Sequence, residues 1–158
     1  MPEKSYKILF LGRMFLGLVF AYSGFTKLMG PVENFQGGMS AYEIIPYAII
    51  PFLAHVIPWI EFFFGVFLFL GYLPRVSALL LAAMSWSFVL LIVITKIVTK
   101  NLPSDCGCFG EGSFIHLKPM HVLVMDVCNT FIGIRLALLK THPFSLASYL
   151  KEKSRAGI

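Results

Sequence analysis

Four long apolar runs, separated by shorter polar stretches, organise the chain. The first covers about residues 8–29, interrupted by Arg13 and closed by Lys27. The second, about 44–70, contains Pro46, Pro51, Pro58 and a single acid, Glu61. The third, about 76–98, has no charge before Lys96, and the fourth, about 120–139, carries Asp126, Cys128 and Arg135. Each approaches or exceeds the roughly 20 apolar residues that a helix needs to cross a bilayer core. None alternates in polarity as the strands of a transmembrane barrel would. The pattern predicts an all-α integral membrane four-helix bundle, a single domain over residues 1–158 in contact with membrane lipid.

Local signals refine this picture. Three prolines in the second run predict a kinked or late-starting helix, tolerable where neighbouring helices satisfy the freed carbonyls. Residues 30–42 are polar and glycine-rich, a connection with short helical pieces, and residues 71–74 form a tight turn. Ala78, Ala82, Ala83, Ser85 and Ser87 are small residues that let helices approach closely. Lys4 and Lys7 before an apolar stretch, with Ala21-Tyr22-Ser23 as a small-x-small site, would suit a signal peptide. Arg13 inside the run, and the length of the run, favour a retained span.

Composition strengthens the membrane assignment. With 58% hydrophobic and 13% charged residues and a mean hydropathy of +0.80, the chain lies far from soluble domains, which carry about 25% charged residues. The net charge of +5 does not imply a nucleic-acid partner, because basic residues in membrane proteins mark the cytoplasmic side. With both termini cytoplasmic, that side holds Lys4, Lys7, Arg75, Lys140, Lys151, Lys153 and Arg155, seven basic residues against four (Lys27, Lys96, Lys100, Lys118) on the other. This topology puts the loop at 100–119 outside, in the compartment that is oxidising in a bacterium.

That loop contains Cys106-Gly107-Cys108. Bridging two cysteines so close in sequence needs a bend at the middle residue, and glycine bends most freely. A strained, exposed disulfide is of the labile or catalytic kind. A static bridge or two unpaired thiols remain open alternatives. So does a metal site of Cys106, Cys108, His116 and His121, although its first pair is tighter than usual zinc spacing. Cys128, within the last span, is expected to pack as a small hydrophobe.

Ionisable groups within the spans are the second chemical signal, since such groups normally face the bundle interior and pair. Arg13, Gly17, Phe20, Gly24 and Lys27 share one helical face. Counting depth along the helices pairs Arg13 with Glu61 and Lys27 with Asp126. Arg13, Lys27 and Lys96 are long enough to snorkel to the headgroups instead; Glu61 and Asp126 are not.

Arg13, Gly24 and Lys27 in the first helix, and Pro58, Trp59, Glu61 and Gly65 in the second, resemble the DoxX-like superfamily. Asp105 to Gly110 (DCGCFG), followed by the span carrying Asp126, resembles the MauE family within it. The resemblance covers about residues 8–140. It implies a four-helix protein of the bacterial inner membrane, of a type associated with maturing the disulfide-rich small subunit of periplasmic methylamine dehydrogenase. DoxX relatives are linked to thiosulfate and quinone redox chemistry. Two functions are then in competition. One is a thiol–disulfide relay in which Cys106 and Cys108 exchange with a periplasmic thiol or disulfide protein. In it Lys27 or Lys96 lowers a thiol pKa, Asp126 shuttles a proton, and a quinone is the electron exit. The other is a non-enzymatic assembly or chaperone subunit that uses the cysteines as a static clamp.

Overall fold

The computed structural model describes residues 3–100 and 119–139. Within them are five helices: α1 (Glu3–Met29), α2 (Val32–Ser40), α3 (Ile50–Leu70), α4 (Pro74–Thr99) and α5 (Pro119–Leu138). All but α2 are long and apolar enough to cross a membrane. They run alternately up and down. The start of α1, the α3–α4 turn and the end of α5 share one end of the bundle, where Leu9 and Leu139 pack on a common core and Arg75 Nε donates to the Leu139 carbonyl at 2.7 Å. The opposite end holds α2, the start of α3, the end of α4 and the start of α5.

The second apolar run begins its helix later than its hydrophobicity alone suggests. Residues 41–49 are turns, and α3 starts at Ile50 with Pro51 in its first turn. Proline disfavours helical backbone in the residue before it, yet fits a first turn, where its missing N–H costs nothing. Pro58 lies inside α3 without ending it. At the far end, Gly71 adopts the left-handed φ of 73° and terminates the helix. Its N–H donates to Leu68 O at 3.2 Å and that of Tyr72 to Phe67 O at 2.8 Å, satisfying carbonyls left free by the helix end.

Polarity is inverted relative to a soluble protein. Leu11, Leu18, Phe52, Leu79, Ile97 and Phe131 are exposed on the outside, while Arg13, Lys27, Glu61, Ser85, Asp126 and Asn129 are buried. An apolar exterior around a polar interior is stable where the surrounding solvent is hydrocarbon. The chain is a multi-pass membrane protein in contact with lipid.

Two helix pairs pack most closely, α1 with α3 and α4 with α5. Glycine makes the first approach. A Cβ on Gly24 would lie 2.5 Å from Phe62 N, and one on Gly17 2.7 Å from Phe69 N. Gly65 answers from α3, against the backbone of Ala21. In the second pair, a Cβ on Gly133 would meet Ala82 Cβ at 2.8 Å. Of the small residues on α4, Ala78, Ala82 and Ser85 form the inner stripe, whereas Ala83 and Ser87 are exposed. The short α2 folds over the chamber end, burying Phe35 and Met39 against Ile50 and Ala54 of α3.

Candidate functional site

The buried polar residues gather near the α2 end. Lys27 of α1 and Glu61 of α3 form an ion pair, with Nζ 2.6 Å from Oε2 and 2.9 Å from Oε1. Ser23, one turn before Lys27, donates to Glu61 Oε2 at 3.1 Å and accepts from Lys27 Nζ at 3.1 Å. The ammonium also sits 4.8 Å from the centre of the Phe35 ring, a favourable cation–π position. Both partners are nearly inaccessible, at 5% exposure for Lys27 and 2% for Glu61.

Across a cavity of about 30 Å³ from this pair stand Ser85 of α4 and Asp126 and Asn129 of α5. The Asp126 carboxyl lies within electrostatic reach of Lys27 and Glu61 and beside the side chains of Ser85 and Asn129. Ser85 Oγ and both amide atoms of Asn129 nevertheless make no hydrogen bond among the described residues. Thr130 Oγ1 donates back to the Asp126 carbonyl at 2.8 Å, so it takes no part in the chamber.

Both intramembrane acids thus face the interior, but their partners differ from those expected. Glu61 pairs with Lys27, not Arg13, and Asp126 makes no ion pair among the described residues. The reason is geometric. Gly24 lies against Pro58 and Phe62, and Gly17 against Gly65 and Phe69, so Glu61 stands level with Gly24. Arg13 is then 11 residues away along α1, roughly 16 Å at 1.5 Å per residue. Side chains also lean toward the N-terminus of their own helix. In this antiparallel pair Lys27 leans down and Glu61 up, and they meet. Arg13 is buried at the other end, its guanidinium 5.1 Å from the Phe10 ring centre.

Other expected site residues are dispersed. Lys96 is exposed on α4, outside the chamber, consistent with snorkelling. Cys128 is exposed rather than buried, because it follows Asp126 by two residues and so points off the inward face. His121 is exposed near the start of α5. Cys106, Cys108 and His116 lie outside the described residues. Sequence reasoning missed Ser23, Ser85 and Asn129 as chamber residues, although Ser23 precedes Lys27 by four positions and Asn129 follows Asp126 by three. Those helical spacings share a face.

A second, larger space adjoins the chamber. Between α2, α3 and α4 runs an apolar groove of about 460 Å³, lined among others by Met39, Tyr42, Ile57, Ile60, Met84 and Phe88. Leu80, Ala83 and Ser87 line it and are exposed on the lipid side. Phe88 lines both spaces. Tyr42 packs against Ile92 and Val122, and its buried hydroxyl has no hydrogen-bond partner among the described residues. Burial, and secondarily the charge of Asp126, push its ionisation up to about 12, so it remains a neutral donor at physiological pH.

Compared with known proteins, residues 5–139 match the model of one family, described as methylamine utilisation protein MauE. No curated protein and no solved structure matches the chain.

Proposed function

Because the chain belongs to the MauE family of methylamine utilisation proteins, we propose that it is an inner-membrane thiol–disulfide exchange protein whose Cys106–Cys108 pair serves periplasmic proteins. The observation that carries this is where the cysteine segment is anchored. α4 ends at Thr99 and α5 begins at Pro119, and both termini lie at the end of the bundle that holds the chamber. With the chain termini cytoplasmic, that end faces the oxidising side.

The exchange is balanced. In the oxidising direction, a thiolate of the partner attacks the Cys106–Cys108 disulfide, and a second partner thiolate resolves the mixed disulfide. The partner gains a disulfide and the pair becomes a dithiol. Restoring the pair removes two electrons and two protons. The groove fits the acceptor class implied by the resemblance: its volume and apolar walls suit a quinone head, and Tyr42 presents an unused hydroxyl. A bound quinone would supply a two-electron, two-proton sink. Of the chain's own groups, Tyr42 would donate a hydrogen bond to a ring carbonyl, and Met84 and Phe88 would exclude water. Asp126 would hold a proton that the exchange releases.

The test is a redox titration of the purified protein in detergent, read by thiol alkylation and mass. A midpoint above about −300 mV, the usual ceiling of structural disulfides, is expected. Substituting Cys106→Ser or Cys108→Ser should abolish exchange with a reduced protein substrate. A midpoint well below that ceiling, with function surviving both substitutions, would establish the static clamp instead. Metal retained stoichiometrically by the reduced protein would point to the Cys106, Cys108, His116 and His121 site.

A further inference from the structure

Charge in the chamber does not balance. Lys27 and Glu61 neutralise one another at 2.6 Å, which leaves the carboxylate of Asp126 without a counterion among the described residues. An isolated carboxylate in a low-dielectric interior is unfavourable and is neutralised either by a proton or by a positive partner. Beside Asp126 stand Ser85 and Asn129, each 1% exposed and near enough to interact with the carboxylate, yet Ser85 Oγ and both amide atoms of Asn129 complete no hydrogen bond among the described residues. All three groups line the same cavity of about 30 Å³.

We propose that the chamber binds one sodium-sized monovalent cation, held by the carboxylate of Asp126, Asn129 Oδ1 and Ser85 Oγ. Hard oxygen donors suit an alkali cation rather than a soft metal. One positive charge restores neutrality, whereas a divalent ion would leave an excess. A proton on Asp126 would also neutralise the carboxylate, its O–H donating to Asn129 Oδ1 and its C=O accepting from the Ser85 hydroxyl, so the dependence on sodium is what separates the two states. A cation draws on lone pairs of all three. The cavity has room for one small ion with about one water. Lys27 does not occupy this position, because Glu61, Ser23 and Phe35 hold its ammonium on the opposite wall. The ligands belong to α4 and α5 alone, and the cation goes beyond the exchange activity proposed above; the two meet only at Asp126, where sodium and the transferred proton compete for one carboxylate.

The experiment is thermal unfolding of the full-length protein in detergent, at fixed pH and ionic strength. Sodium chloride is replaced stepwise by potassium or N-methylglucamine chloride. Sodium should raise the melting temperature saturably, by about 3–6 °C at ten times its dissociation constant, with potassium weaker. The shift should vanish in Asp126→Asn and fall in Ser85→Ala. It should persist in Glu33→Gln, which alters an exposed acid of α2. Equal melting temperatures in all three salts would overturn the proposal and leave a protonated Asp126 with water. So would a sodium shift undiminished in Asp126→Asn. Because the wild-type comparison needs no substitution, poor folding of a variant does not obscure the answer. Thiol exchange is not read at all, so failure here leaves the cysteine proposal standing.

Discussion

Removing one member of the Lys27–Glu61 pair tests the organisation of the chamber. Breaking a buried ion pair by deleting one partner generally costs about 3–5 kcal/mol, because the other charge is left uncompensated. The two deletions should not be equivalent here. Lys27→Met leaves Glu61 with Ser23 as its remaining donor, facing Asp126 across a cavity of about 30 Å³, so the full cost of about 3–5 kcal/mol is expected. Glu61→Gln leaves Lys27 with a second carboxylate in reach, Asp126, and the expected cost falls to about 1–2 kcal/mol, near that of a lost charge-assisted hydrogen bond. The double variant removes both charges and should resemble the milder single one, a coupling of about 3–5 kcal/mol in the mutant cycle. The assay is denaturant unfolding in mixed micelles, followed by the fluorescence of Trp59 and Trp86. Adding Asp126→Asn to Glu61→Gln should restore the full penalty. Costs that add to within about 0.5 kcal/mol, or a Glu61→Gln cost as large as that of Lys27→Met, would refute the reasoning.

Further outcomes follow from other parts of the structure. Gly65→Ala forces a methyl group into the backbone of Ala21 and should cost about 1–3 kcal/mol as overpacking. Gly37→Ala, with nothing near its Cβ position, should stabilise α2 by up to about 1 kcal/mol; melting temperatures of the two variants decide. On intact cells, after reduction, a membrane-impermeant maleimide should label Cys106 or Cys108 and spare Cys128. Labelling only after permeabilisation would invert the topology. In a spectroscopic pH titration, Tyr42→Phe should remove one tyrosine that ionises late, at about pH 12. A folded-state value raised above the ordinary value near 10 means that the native state binds the extra proton. Tyr42 therefore contributes nothing below pH 10, and its effect is to reduce stability as pH rises between about 10 and 12.

The spans were legible because the bilayer imposes a length and a composition that few other environments demand. The inward orientation of Glu61 and Asp126 was legible for the same reason, since short acidic side chains cannot reach the headgroups. Their partners were not. Depth counted in residues ignores the lean of a side chain and the register of the helices it joins, and that register is fixed by Gly17, Gly24 and Gly65 meeting backbone. Hydrophobicity continues through residues 44–49 while the helix does not, because Pro46 and Pro51 govern the backbone there. Cys128 was misplaced by its composition alone; its angular position, two residues after Asp126, puts it outside. The chamber needed Ser85 and Asn129, ordinary polar residues whose significance comes from standing next to one acid.

The chamber is divided between the two tightly packed helix pairs. Ser23, Lys27 and Glu61 all belong to α1 and α3, while Ser85, Asp126 and Asn129 belong to α4 and α5. Each pair is packed internally on small residues and meets the other pair less closely, so the seam between the two halves is the looser joint. Sliding one half against the other changes the gap between the lone acid and the ion pair without breaking the ion pair. The seam therefore sets the width of the chamber, and with it the local dielectric around Asp126.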